Sequence, residues 1–143
     1  MSPSFWADTS YLYAFFVEAD ANHGAAGQVW KRCVELRLRP VTSGLVFAEL
    51  GTLLAYRFGH GIAHSRMALL CESELLLRVH ADNRIESAAI GWWRHFADQK
   101  FSFADCVSFE FMRRLGIRRA LSFDTDFAIA GFETVREAGQ VGQ

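Results

Sequence analysis

Short, strongly apolar segments alternate with longer helical patterns along the whole chain, and this alternation limits the possible folds more than any other feature. Segments with the character of strands lie at residues 4–7, 41–43, 75–80, 117–123 and 132–135. Parallel strands need crossover connections, and helices usually supply them. The sequence therefore predicts an α/β fold, a three-layer α/β/α sandwich with a mainly parallel central sheet.

The helical patterns between these segments are longer than single crossovers require. The first helix is expected to begin after Asp8, the second to cover residues 25–38 and to end before Pro40, and the third to run from Gly44 to about Phe58. Further helices are expected at residues 62–74, from Asp82 to about 97, at 102–115 and, in a short form, at 127–130. We therefore expect pairs of helices beside the sheet.

The length of 143 residues, 51% of them apolar, fits one domain with a substantial core. We assign residues 1–136 to a single domain and expect residues 137–143 to form a disordered, frayed tail. The formal net charge of -1 excludes a broad basic surface for gripping duplex nucleic acid. Contacts with nucleic acid are therefore expected to be local.

No secretory or membrane-spanning segment is predicted. The first residues lack a basic start followed by an apolar stretch, and the apolar segment at residues 45–58 is interrupted by Glu49 and Arg57. The three cysteines, Cys33, Cys71 and Cys106, are too scattered for a disulfide framework and are expected to be buried thiols. These features predict a cytoplasmic protein without a membrane partner.

Four acidic residues stand where apolar side chains are expected. Asp8 follows Phe-Trp-Ala, Asp124 follows Leu-Ser-Phe, and both Glu49 and Asp105 lie within apolar helical segments. A carboxylate in apolar surroundings is costly to desolvate unless it is hydrogen-bonded, paired with a cation or bound to a metal ion. Each of these acids therefore needs a partner.

The predicted fold brings the four acids to one edge of the sheet. Asp8 and Asp124 follow strands, and the carboxyl ends of parallel strands form the crevice where ligands bind. Asp105 in the first turn of its helix and Glu49 in the second turn of its helix can project into the same crevice. Such a group of oxygen ligands suits Mg²⁺ or Mn²⁺, which neutralise charge on a phosphodiester and acidify water.

Each acid also has a structural explanation. Asp8 fits a helix N-cap, Ser-x-x-Asp105 fits a capping box, and Asp124 fits a turn. Glu49 is harder to explain in this way, because its neighbours at helical spacing are apolar and no cation lies four residues away. Asp126, two residues after Asp124, is at most an accessory ligand.

The ordered set of acids, with its surroundings, resembles the PIN-domain ribonucleases. The matching segments are Phe-Trp-Ala-Asp8-Thr-Ser, Phe-Ala-Glu49-Leu, Phe-Ala-Asp105-Cys-Val and Leu-Ser-Phe-Asp124-Thr-Asp126-Phe, followed by Gly-Phe. They span nearly the whole chain. Among these ribonucleases, the chain is most similar to the toxins of VapBC-type toxin–antitoxin pairs.

The resemblance implies a metal-dependent endoribonuclease that hydrolyses RNA with Mg²⁺ or Mn²⁺. Position by position, Asp8, Glu49, Asp105 and Asp124 match the acidic quartet of the family, which makes them the expected catalytic and metal-binding residues. A cognate antitoxin is the implied partner, with a segment that covers the acidic pocket.

Two other functions remain open at this point. One is a non-catalytic nucleic-acid-binding or regulatory domain, in which the acids cap helices or pair with arginine. The other is a small-molecule phosphohydrolase with an aspartate nucleophile, but the position after the first strand reads Asp8-Thr9-Ser10 rather than Asp-x-Asp. The nuclease explains more of the residues than either.

Two expectations concern surfaces. The helices hold more aromatic and aliphatic residues at 14–16 and 45–70 than one core of this size needs, which predicts a homodimer. Arginines near Gly116 are candidates for contacts with RNA phosphates at the rim of the pocket, or form a solvated helix end. These arginines are Arg113, Arg114, Arg118 and Arg119.

Overall fold

The centre of the molecule is a five-stranded, fully parallel sheet. In a computed structural model, which describes residues 3–143, the strands follow the spatial order β3-β2-β1-β4-β5. The strands are β1 (Pro3–Ala7), β2 (Arg39–Ser43), β3 (Leu77–Val79), β4 (Arg119–Leu121) and β5 (Glu133–Val135). Because β1 lies in the middle, the residues after its carboxyl end lie between those after β2 and β4.

Helices connect every pair of consecutive strands. They are α1 (Thr9–Phe16), α2 (His23–Glu35), α3 (Gly44–Phe58), α4 (His60–Glu72), α5 (Asn83–His95), α6 (Phe103–Leu115) and α7 (Asp126–Ile129). The first three connections each hold two helices, as the sequence predicts. The last connection holds only the four-residue α7.

Two separate apolar cores cover the two faces of the sheet. Successive side chains of β1 point to opposite faces, so Phe5 and Ala7 pack with α1 to α4 while Trp6 packs with α5, α6 and α7. All three side chains are at most 1% exposed. The predicted three-layer α/β/α sandwich is confirmed.

The limits of several elements differ from the prediction. Helix α2 ends at Glu35, and Pro40 lies within β2 instead of terminating a helix. Pro40 has no amide hydrogen to donate to the sheet. Its partner in β1 is Phe5, and the register between β1 and β2 shifts between Pro3 and Phe5. Strands β3 and β4 are only three residues long, because Leu75 and Leu76 lie in a bend before β3 and the residues on both sides of β4 leave the sheet.

The tail is ordered, in contrast to the expectation for residues 137–143. Ala138–Gln140 form a short 3₁₀ turn, and Val141 is 2% exposed in the same core as α2. The guanidinium of Arg119 donates to the main-chain oxygen of Gln143 over 3.0 Å. A buried apolar anchor and an arginine therefore fix a segment whose small and polar composition predicts fraying.

Two further expectations concern cysteines and membranes. Cys33 and Cys106 are buried free thiols as predicted, but Cys71 is exposed, because it lies near the end of α4 and away from both cores. Within residues 3–143, no helix has the length and apolar character needed to cross a bilayer.

Candidate functional site

The candidate site lies at the carboxyl edge of the sheet, where β1 and β4 end side by side. Asp8 follows the last residue of β1, and its amide donates to the main-chain oxygen of Leu121, the last residue of β4, over 3.0 Å. The hydroxyl of Thr42 donates to the main-chain oxygen of Ala7 over 2.8 Å and fixes the end of β1 from the β2 side. The backbone around Asp8 is therefore held by both neighbouring strands.

Asp8 is a buried carboxylate whose hydrogen bonds all use one oxygen. Its Oδ2 accepts from the hydroxyls of Ser10 and Ser122 at 2.8 and 3.0 Å, and from the Ser10 amide at 3.4 Å, which makes Asp8 the N-cap of α1. Within residues 3–143, no hydrogen bond reaches Oδ1. The serines therefore orient the carboxylate and leave Oδ1 for a ligand.

The same serines connect Asp8 with the segment that carries Asp124. The hydroxyls of Ser10 and Ser122 are 3.2 Å apart. The amide of Phe123 donates to Ser10 Oγ over 3.0 Å, and the amide of Asp124 donates to Ser122 Oγ over 3.3 Å. The start of α1 and the loop after β4 thus form one hydrogen-bonded unit.

Asp105 is a helix-capping residue that also lies beside the other acids. It forms a capping box with Ser102, in which the Ser102 amide donates to Asp105 Oδ2 over 3.1 Å and the Asp105 amide donates to Ser102 Oγ over 3.0 Å. Its carboxylate also lies close enough to those of Asp8, Asp124 and Asp126 to interact with them. The cap fixes the position of a side chain that also belongs to the acidic cluster.

The acidic cluster, by which we mean Asp8, Asp105, Asp124 and Asp126, contains three acids with raised pKa values. Burial, followed by repulsion from Asp124 and Asp105, raises the pKa of Asp8 to about 8. Burial and repulsion from Asp124 and Asp126 raise the pKa of Asp105 to about 7, against the lowering effect of its bonds to Ser102. Burial and repulsion from Asp124 also raise the pKa of Asp126. Close carboxylates that disfavour one another's charge are typical of functional sites.

No basic side chain of the described residues neutralises this cluster. The four ion pairs found among residues 3–143 all involve other acids. The guanidinium of Arg136 donates to the main-chain oxygen of Asp124 over 2.9 Å rather than to a carboxylate. The negative charge of the cluster is therefore left for a bound cation.

Glu49 does not join the cluster in the way the sequence predicts. It is exposed instead of buried, because its side of α3 faces an open groove, and Thr9 Oγ1 donates to its carboxylate over 2.6 Å. Because Thr9 directly follows Asp8, this bond places Glu49 at the border of the site. The groove, which we call the α3 groove, has a volume of about 630 Å³. It is lined by Thr9, Ala48, Glu49, Thr52, Leu53 and Tyr56.

The four arginines near Gly116 lie away from the acidic cluster. Arg113 and Arg114 each donate to Glu110 over 2.6 Å, so they form an ion-paired end of α6. Arg118 and Arg119 lie at the amino end of β4, while Asp124 follows its carboxyl end. The expectation of phosphate contacts at the rim is therefore not met by their placement, and the alternative of a charged helix end describes Arg113 and Arg114.

Sequence reasoning missed three contributors to the site. Ser10 and Ser122 orient Asp8, and Arg136 holds the backbone of Asp124. A serine within two residues of each strand-ending aspartate was the available signal for the first two. Arg136 gives no local signal, because its contact spans twelve residues of chain.

The fold and the acidic cluster define a class of protein, and the sequence independently identifies it. The chain matches the PIN domain model over residues 7–133, which is most of its length. The chain belongs to the PIN-domain family.

The relatives narrow the class further. The 23S rRNA-specific endonuclease VapC20, from two strains of Mycobacterium tuberculosis, is 34% identical over 131 residues, covering 92% of this chain and 97% of the relative. The crystal structure of M. tuberculosis VapC20, a sarcin-ricin loop cleaving toxin, matches with a TM-score of 0.84 at 34% identity, covering 93% of this chain and 99% of that one. The expected VapC-like PIN-domain ribonuclease is confirmed.

Proposed function

We propose that this chain is a divalent-metal-dependent endoribonuclease whose ion is held by Asp8, Asp105 and Asp124, with Glu49 and Asp126 at the border of the site. The observation that carries the proposal is the convergence with Asp124, near the ends of β1 and β4, of the buried carboxylates of Asp8 and Asp105, whose pKa values are raised and which have no neutralising cation within residues 3–143. A cluster of this kind is stable in its charged form only when a cation joins it.

The donor set fits Mg²⁺ or Mn²⁺. All the side-chain donors are carboxylate oxygens, which these hard cations prefer, and the Asp8 Oδ1 atom has no competing hydrogen bond among residues 3–143. Within the same residues, no three His, Cys, Asp or Glu side chains already lie at the spacing of a complete ligand set. Small side-chain rotations of Asp105 and Asp124 toward Asp8 would accompany binding.

The residues of the chain have separate parts in hydrolysis. A bound divalent ion supplies charge neutralisation for the phosphodiester and acidifies water. Ser10 and Ser122 keep the Asp8 carboxylate in one orientation, while the Ser102 cap keeps Asp105 in place. Glu49, at the open side of the site and bonded to Thr9, is available to orient the incoming water or the RNA backbone.

We propose ribosomal RNA as the substrate, specifically an exposed loop of the 23S molecule. The identity to VapC20 over nearly the whole of both chains supports this choice. The net charge of -1 supports recognition of a defined loop by local contacts, because it offers no long basic track for duplex RNA.

Cleavage of 23S rRNA in purified ribosomes tests this function. The wild-type protein with Mg²⁺ or Mn²⁺ should give one discrete fragment, and Asp8→Asn should give none. Asp98→Asn is a matched control, because it also removes one carboxylate from the chain but lies in the turn after α5. Equal cleavage by the wild type and Asp8→Asn would refute the proposed site, and absence of cleavage by the wild type would refute the substrate.

We further propose that a cognate antitoxin covers the site by binding in the α3 groove and that two copies of the chain form a dimer. The groove borders Glu49 and holds the 89% exposed Tyr56. Further exposed apolar side chains at the end of α3 and on α4 support a second contact area. They are Phe58, Ile62 and Leu69.

Light scattering and co-purification test these partners. Expression from the native operon should yield a complex with a small protein that protects Tyr56 from modification. Without that protein, a mass of two chains at micromolar concentration is expected. A monomer without any co-purifying protein would refute both partners.

A further inference from the structure

The C-terminal turn is connected to the acidic cluster through Arg136. This residue directly follows β5, and its guanidinium donates to the main-chain oxygen of Asp124 over 2.9 Å. Its own amide donates to Gln140 Oε1 over 2.7 Å. A short hydrogen-bonded path therefore runs from Gln140 through Arg136 to the loop that carries Asp124.

The turn that holds Arg136 is itself fixed at several points. Gln140 Oε1 also accepts from the Glu137 amide over 3.1 Å, so this one side chain binds two consecutive amides. Arg119 donates to the main-chain oxygen of Gln140, and Val141 is buried in the core. A segment with these attachments can impose a position on Arg136 instead of following its movements.

The charge of Arg136 has no carboxylate partner in the described part of the chain. None of the four ion pairs there involves Arg136. The side chain of Arg136 is half-buried, and its guanidinium contacts the backbone of Asp124. The carboxylate of Asp124 is thereby left free of an internal salt bridge while its main chain is held.

We propose that Arg136, kept in place by Gln140, is a positioning residue that fixes Asp124 for binding the divalent ion. The proposal depends on the function proposed above, because it gives Asp124 a role as ligand. The opposite side of the loop is already held by Ser122, whose hydroxyl accepts from the Asp124 amide over 3.3 Å. Arg136 supplies the second attachment, so that the loop keeps one position before the ion arrives.

The test compares variants that break the path with variants that preserve it. Arg136→Gln and Gln140→Leu remove the guanidinium and the amide acceptor, whereas Gln140→Glu keeps an acceptor oxygen. Arg118→Gln is the matched control, because Arg118 is an exposed arginine at the amino end of β4 and its loss changes the net charge equally. Thermal unfolding of each variant checks that it folds, and Arg136→Met, which keeps the aliphatic stem without a donor, replaces Arg136→Gln if that variant does not.

The first readout is the affinity for Mn²⁺ alone, measured by calorimetry without RNA. Loss of a group that orients a metal ligand commonly weakens metal affinity about 10- to 100-fold. Arg136→Gln and Gln140→Leu should show a loss in this range, while Gln140→Glu and Arg118→Gln should match the wild type. Unchanged Mn²⁺ affinity in Arg136→Gln would overturn the proposal.

The second readout separates positioning from direct contact with RNA. For a positioning residue, kcat falls while KM and the salt dependence of RNA binding stay at wild-type values. For a phosphate contact, the slope of log affinity against log salt becomes shallower by about 0.7 and kcat is kept, which would overturn the proposal. If the wild type does not cleave RNA but the Mn²⁺ affinities differ as expected, the proposed function fails and the role of Arg136 stands.

Discussion

Helix α6 carries two buried acids with opposite electrostatic surroundings. Asp105, near its start, has a pKa raised to about 7 by burial and by repulsion from Asp124 and Asp126. Glu110 is also buried, but hydrogen bonds from Arg113, Arg114 and Trp92 outweigh the effect of burial and lower its pKa to about 2. Burial alone therefore does not distinguish a functional acid from a structural one.

The difference arises from what each acid faces. Five residues correspond to about 140° around a helix, so Asp105 and Glu110 point to different surroundings. Glu110 meets two arginines at i+3 and i+4 and the indole of Trp92 at 3.1 Å. Asp105 meets other carboxylates at the carboxyl edge of the sheet. A buried acid that is neutralised by its own helix is structural, and one that faces more acids is a candidate ligand.

The largest expected effect separates the two acids by catalysis. Asp105→Asn should lower RNA cleavage by roughly 100-fold or more, because it removes a carboxylate from the ion-binding cluster. Glu110→Gln, on the same helix, should retain activity close to wild type at a temperature where it is folded. Initial rates with saturating Mg²⁺ measure both, and an equal loss in the two variants would remove the distinction.

The next effect separates them by stability. Glu110→Gln should lower the free energy of unfolding by about 1–3 kcal/mol, because it replaces charge-assisted hydrogen bonds with weaker ones. Asp8→Asn should instead raise the melting temperature at pH 8 without divalent ions, because it relieves repulsion within the cluster. Calorimetric melting of the metal-free proteins measures both shifts. A lower melting temperature for Asp8→Asn would contradict the account.

The pH dependence of stability should reflect both the acids with raised pKa values and the acid with a lowered pKa. The raised pKa values of Asp8 and Asp105 mean that the folded state binds more protons than the unfolded state between about pH 4 and 8, so stability falls as the pH rises there. The lowered pKa of Glu110 means that its contribution is present above about pH 4.5 and is lost as the pH falls toward 2. The metal-free protein should be most stable near pH 4.

Saturating Mg²⁺ supplies the control for this profile. It should abolish the decline between pH 5 and 8, because the charged cluster then has its cation, and it should leave the acid limb unchanged. Melting temperatures across the range, with and without Mg²⁺, measure the effect. A decline of undiminished size in Asp8→Asn would assign it to groups outside the cluster.

The smallest expected effect concerns Glu49, which is exposed at the border of the site. Glu49→Gln should lower cleavage by about tenfold, less than Asp105→Asn, because its contact with Thr9 survives through the amide oxygen. Its melting temperature should stay within a degree of wild type. Loss of activity as large as that of Asp105→Asn would move Glu49 into the centre of the site.

The sequence predicts the acids at strand ends better than the acids within helices. Asp8 and Asp124 follow directly from the rule that parallel strands end at one edge. Glu49 was expected to be buried because its helical neighbours are apolar, but Val46 and Leu54 turn into the core while Glu49 faces an open groove that only the packing of α3 reveals. Glu110 also lies between apolar residues but is not among the predicted site acids. Its ion pairs could be predicted, because two arginines lie at i+3 and i+4 in the sequence.

Contacts between distant segments mark the limit of prediction from the sequence. The Ser122 hydroxyl reaches Asp8 across 114 residues, and the bond from Arg136 to Asp124 depends on the crossover through α7. The order of the tail depends on Val141 reaching the core beside α2. None of these contacts follows from local composition or periodicity, because each needs the finished sheet.

Mn²⁺ titration by calorimetry tests most directly whether buried acids without internal cations form the ion site. The wild type and Glu110→Gln should bind Mn²⁺ with the same affinity at pH 7.5, and Asp105→Asn should bind it at least about tenfold more weakly. Arg113 and Arg114 neutralise Glu110 in the folded protein, so its loss leaves the carboxyl edge intact. Equal Mn²⁺ affinity in Asp105→Asn and the wild type would contradict the account.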